Sequence, residues 1–72
     1  MTETLQYAIF EFVTFSIEQY KQTVNKNGWD VEQMFERLGV VGFLVDHYEV
    51  LHTQSASVII YEINQYINQH TS

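Results

Sequence analysis

The sequence predicts an all-α fold, a small four-helix bundle, on three observations. Apolar residues recur at the 3.6-residue period in four segments, the joints between them are short and hold Asn, Gly, Thr and Ser, and no alternating strand pattern competes. A chain of 72 residues allows one domain, taken as residues 1–72. A domain this small buries only about 60% of its unfolded surface, a thin margin that self-association would widen.

The first helix is expected from about Glu3 to Val24, closing near Asn25 to Gly28, where Asn and Gly tolerate the left-handed conformation of a C-terminal cap. Its apolar residues, from Leu5, Ala8 and Ile9 to Tyr20 and Val24, cover roughly 220° of the helical wheel, against the ~100° of an ordinary core-facing stripe. Phe10 and Phe15 stand at the two edges of that wide face. Asp30 is expected to open the second helix, accepting from the amide three residues on while Gln33 reaches back, as in a capping box, with Trp29 as the hydrophobic staple. Val31, Met34, Phe35 and Leu38 form its stripe, and Gly39 ends it.

The third helix, about Val41 to His52, has two apolar faces. Val41, Leu44, Val45, Tyr48 and Leu51 make the main stripe; Phe43 and Val50 lie on another side with His47 between them. The residues Thr53, Gln54, Ser55 and Ser57 then supply candidate N-caps for a fourth helix. That helix places Ile59, Ile60, Ile63, Tyr66 and Ile67 on a face roughly 120° wide. Its other side, with Glu62, Asn64, Gln65, Asn68 and Gln69, reads as solvated surface.

Composition narrows the function classes. The chain has no cysteine, which removes disulfides and thiolate metal sites. The N-terminus lacks the basic region of an export signal, and Val40 to Val45, the longest apolar run, is far below the ~20 residues that span a bilayer, so a cytoplasmic location is expected. The formal charge of −6, with Lys21, Lys26 and Arg37 as the only Lys or Arg cations, argues against nucleic acid, because no basic patch can be assembled. Val31 to Asp46 has the outline of a helix-turn-helix, yet a recognition helix beginning at Val41 would offer no Arg, Lys, Asn or Gln to base edges. The acidity serves solubility, and it also suits a basic protein partner.

Chemistry is sparse. His47 and His52, five apart, fall roughly 140° from each other on one helix and cannot chelate a metal as an i, i+4 pair would. Asp46, Glu49 and His52 read as exposed helix residues, and no phosphate loop is present; Gly28 and Gly39 answer to backbone geometry and Gly42 to close helix packing. Tyr48 and His52 at i, i+4 could be a catalytic pair, but a packed helix edge bonded to nearby backbone explains them more simply. No catalytic residue, cofactor or metal is therefore assigned, and a non-enzymatic role is expected.

The segments Ile17-Glu18-Gln19-Tyr20-Lys21, Phe35-Glu36-Arg37-Leu38-Gly39-Val40 and Tyr48 to Gln54 resemble the small bacterial proteins grouped as domain of unknown function 3791. That family shares a Glu-Gln-Tyr-Lys-like end to its first helix, a Phe-x-x-x-Gly-Val turn and a Tyr-Asp-Val-Leu-His-Thr-Gln-like stretch. This chain departs in carrying Glu49 in place of the aspartate and Asn and Gln where relatives carry charges in the last helix. The resemblance implies an accessory or antitoxin-like role, because members are often encoded beside ADP-ribosyltransferase-like proteins, and it supplies no catalytic residue. The residues alone point to an interaction module, with Phe10, Phe15, Phe43, His47 and Val50 as the contact surface. The expected partner is a larger protein, a second copy of the chain in a homodimer, or both.

Overall fold

A computed structural model describes residues 2–71, with side chains from residue 4. Met1 and Ser72, the outer bounds of the expected domain, lie outside the described residues. The elements in order are α1 (Thr2–Val24), α2 (Gly28–Leu38), α3 (Val40–Asp46), α4 (Tyr48–Leu51) and α5 (Ala56–Thr71). The described residues contain no strand, so the fold is all-α. At 1.5 Å per residue α1 is about 34 Å long, close to the 38 Å longest extent of the molecule.

Each joint follows from local chemistry. Asn25, at φ 56°, is the one described non-glycine residue in the left-handed region, and it closes α1. The second helix begins earlier than the pattern suggested. Asn27, not Asp30, is the N-cap: its Oδ1 accepts from the Asp30 amide at 2.9 Å and its Nδ2 donates to Asp30 Oδ2 at 3.1 Å. This arrangement gives the cap to a strongly favoured residue and sets the Asp30 carboxylate in the first turn, where the helix dipole favours negative charge. Gly28 accordingly lies inside α2, not in a left-handed turn. Trp29 loses the staple position for the same reason. It precedes Val31 by two residues, ~200° around the helix, and projects from the surface at 69% exposure while Val31 is wholly buried.

Gly39 joins α2 to α3 alone. Its φ of 75° would strain an L side chain, its N–H donates back to Phe35 and Glu36 carbonyls, and its own carbonyl accepts from Phe43 N at 3.1 Å. A Cβ here would also lie 3.1 Å from the Tyr66 hydroxyl. Gly42 differs: a Cβ would meet nothing within 4 Å, so close packing does not account for it.

The expected third helix is divided at His47, giving five helices in place of four. His47 leaves the helical region at φ −108°, ψ 18°. Its backbone N–H and its ring Nδ1 both approach the Phe43 carbonyl, at 3.1 and 3.0 Å. Both donors thus share the one carbonyl of Phe43. Leu51 N bonds His47 O at 2.9 Å, which starts α4 directly after the break. The main stripe is only partly used: Leu44 and Leu51 are buried, Tyr48 is half-buried, and Val41 and Val45 are exposed. Ser55 then caps α5, its Oγ accepting from Val58 N and its carbonyl from Ile59 N.

One core joins all five helices, with Val31, Phe35, Val40, Leu44 and Ile63 wholly buried and Phe12, Tyr20, Leu51 and Ile59 nearly so. Each wholly buried large side chain contributes about 1.5–3 kcal/mol. Tyr20 packs its ring 5.3 Å from that of Phe35 and donates its hydroxyl to Asn64 Oδ1 at 2.9 Å. Asn64, expected in solvent, is therefore half-buried as an acceptor, and Glu62, two residues before it, is half-buried as well. Ser16, at 0% exposure, satisfies its hydroxyl on the Phe12 carbonyl at 2.8 Å.

Gly39→Ala is expected to lose about 1–2 kcal/mol, the cost of an L residue in the left-handed region, and Asn27→Ala about 1 kcal/mol; urea melts followed by far-UV circular dichroism check both. Burial raises the Tyr20 phenol above its ordinary value of 10.0. The folded state then holds a proton that the unfolded chain releases, so this contribution is complete below pH 10 and is lost as pH rises through the folded value. In a series of melts above pH 10, Tyr20→Phe should flatten the alkaline fall in stability relative to the parent protein.

Candidate functional site: apolar grooves along the first helix

The wide apolar face of α1 is only partly used by the core. Phe12 and Tyr20 are buried and Ile9, Val13, Ile17 and Val24 are half-buried, but Leu5, Phe10 and Phe15 are exposed. Phe10, 67% exposed, and Phe15, 45% exposed, occupy the edges of the face. Leu5 is different, because it lies near the middle of the same face. It is 51% exposed and faces a groove in place of a packed neighbour.

That groove, of about 320 Å³, runs between α1 and the α3–α4 kink and is lined by Leu5 and Ile9 on one side and by Val45, Tyr48 and Val50 on the other. Asp46 and Glu49 also line it, as does His47. A second groove on the opposite flank of α1 holds Ala8, Glu11, Phe12 and Phe15 against Tyr48 and His52. The Phe12 and Tyr48 rings meet edge to face at 5.5 Å and form the floor between the two flanks. A third groove, between α3–α4 and α5, is lined by Phe43, His47, Val50 and Val58.

The five residues singled out in the sequence thus separate into distinct places. His47 and Val50 are exposed and line both the first and the third groove. Phe43 lines only the third of these grooves and is half-buried, its ring stacked 4.6 Å from Tyr66 and 4.7 Å from His47. Helix α5 therefore covers much of the second face that the third segment was expected to leave open. Phe15 belongs to the α1 flank with His52, and Phe10 projects from α1. Periodicity missed Leu5 and Val45 as surface residues. Both carry the inward signature, yet they border the open groove.

A second pattern is repeated three times. Phe43–His47, Tyr48–His52 and Tyr66–His70 are i, i+4 pairs with ring centroids 4.7, 4.3 and 4.0 Å apart. In each, the histidine Nδ1 approaches the carbonyl of the aromatic residue, at 3.0, 2.7 and 2.7 Å. A carbonyl only accepts, so Nδ1 carries the hydrogen. Each pair lies at a helix end, and at Phe43 and Tyr48 the ring is a second donor to a carbonyl that already accepts the histidine's backbone N–H. For Tyr48 and His52 this is the packed edge, bonded to backbone, that their spacing suggests.

The described residues hold no group of three or more His, Asp or Glu side chains able to grip a metal ion. No described helix is long and apolar enough to cross a membrane. What the geometry offers is open apolar grooves flanked by carboxylates. No curated protein and no solved structure matches the chain. The family model described as Protein of unknown function (DUF3791) matches residues 11–70, which takes in the Glu-Gln-Tyr-Lys segment, the Gly39 turn and the kinked α3–α4 stretch, and the chain belongs to that family.

Proposed function

We propose that the protein is a cytoplasmic protein–protein interaction module without chemistry of its own. Its contact surface is the exposed side of α1 together with His47 and Val50. The observation that carries this reading is the exposure of Leu5, Phe15 and Val50 around largely apolar grooves, with Phe10 exposed at the other edge of α1. Scattered apolar side chains are ordinary on a surface, whereas contiguous ones mark a contact. Aromatic anchors supply most of the binding energy at such contacts, and surrounding charges set the rate and the choice of partner. An accessory or antitoxin-like attachment to an ADP-ribosyltransferase-like protein, implied by the resemblance, is one form of this reading. A homodimer is the second, favoured by the few wholly buried side chains available to hold so small a domain together.

A native pull-down of the tagged protein, with light scattering of the purified fraction, tests both forms. A stoichiometric partner supports the module, a dimer alone supports the second form, and a monomer without partner overturns both. Val50→Asp is expected to keep full helicity while abolishing the association. Leu44→Asp, which buries an unpaired charge, should unfold the chain. Phe43→Asp is expected to fall between them, lowering the melting temperature through the lost Tyr66 contact.

A further inference from the structure

The acidic charge is not spread evenly along the chain. Residues 21–37 contain Lys21, Lys26 and Arg37 and three acids, Asp30, Glu32 and Glu36, which cancel. The whole formal charge of −6 therefore rests on Glu3, Glu11, Glu18, Asp46, Glu49 and Glu62, in segments with no Lys or Arg at all. These are the segments that build the groove between α1 and the α3–α4 kink. Leu5, Ile9, Val45 and Val50 line it, and the two carboxylates among its lining residues, Asp46 and Glu49, are exposed and make no ion pair among the described residues.

We propose that this groove is the seat of a basic amphipathic helix of a partner protein, a deepening that rests on the interaction-module reading. The charge selects the occupant. A second copy would bring its own carboxylates against Asp46 and Glu49, a like-charge contact that costs affinity, whereas lysines flanking an apolar ridge would pair with them. The backbone selects the form. The walls of the groove are helical and the described residues contain no strand, so there is no strand edge among them for an extended peptide to join, and recognition falls to side chains. A helix that presents apolar residues at i, i+3, i+4 and i+7 would lay them between Leu5–Ile9 and Val45–Val50, with flanking lysines at the two carboxylates.

The probe is a fluorescein-labelled leucine–lysine peptide of about 18 residues, ~27 Å as a helix, titrated with the full chain by anisotropy and circular dichroism. The expected result is one-to-one binding with a gain of helicity. A leucine–glutamate peptide of the same pattern, and a leucine–lysine peptide with its leucines redistributed around the wheel, should both bind at least about tenfold more weakly. The double variant Asp46→Asn, Glu49→Gln should weaken binding about tenfold, while Glu32→Gln, Glu36→Gln, an equal change of charge on α2, should change it less than about twofold. Val50→Asp should abolish binding with the protein still fully helical. Equal losses in the two double variants, retention of binding by Val50→Asp, or no binding of the leucine–lysine peptide would each overturn the proposal. If the pull-down nonetheless returns a partner or dimer that Val50→Asp releases, the interaction module stands and only the basic helix falls; if neither experiment finds an association, both fall.

Discussion

The arrangement depends first on a single left-handed residue. Gly39 closes α2, opens α3 and leaves no spare chain between them. Because its N–H is spent on the end of α2 and its carbonyl on Phe43, the heading of α3 is fixed relative to Phe35. That heading buries Val40 and Leu44 beside Val31 and Phe35 and brings Phe43 onto the ring of Tyr66. A longer or freer joint would let α3 meet α1 elsewhere, and the grooves along α1 are a product of where it does meet.

From that joint the small core is completed by groups with more than one task. Tyr20 packs against Phe35 and also ties α1 to α5 through Asn64, so a polar contact fixes a helix pair that apolar burial alone would allow to slide. Ser16 lies in the same interior and spends its hydroxyl within its own helix, which leaves it small and satisfied where a larger residue would push the helices apart. The buried side chains without hydroxyls then need only fill space. Economy of this kind is what a chain of 72 residues demands.

Helical periodicity made most of the fold legible. The α2 stripe of Val31 and Phe35 and the α5 stripe of Ile59 and Ile63 form the interior as their spacing indicated, and the wide face of α1 keeps apolar residues in solvent. Two things escaped it. The N-cap of α2 was placed at Asp30 because both Asn27 and Asp30 are good caps, and spacing does not show which carbonyl first accepts. The break at His47 escaped because it lies in the backbone angles of one residue, φ −108° and ψ 18°, which hydropathy cannot register. Its neighbours explain the mixed reading of the contact residues. Phe10 and Val50 are on the surface as expected, whereas Phe43 is drawn against α5 and Val45 is turned outward. The repeated aromatic-x-x-x-histidine spacing was the available signal: it occurs three times, each time at the end of a helix.

The one-residue joints at Gly39 and His47 have a consequence for the energetics of recognition. The groove walls on α1, α3 and α4 belong to elements that share one core, and α2, α3 and α4 are coupled with no loop between them. A visiting segment meets a backbone already in place, so the backbone entropy lost on association falls chiefly on the visitor. Such preorganisation places the adjustable part of the affinity in the sequence of the visitor, and lets one rigid face rank competing segments by how readily each takes up its own bound conformation.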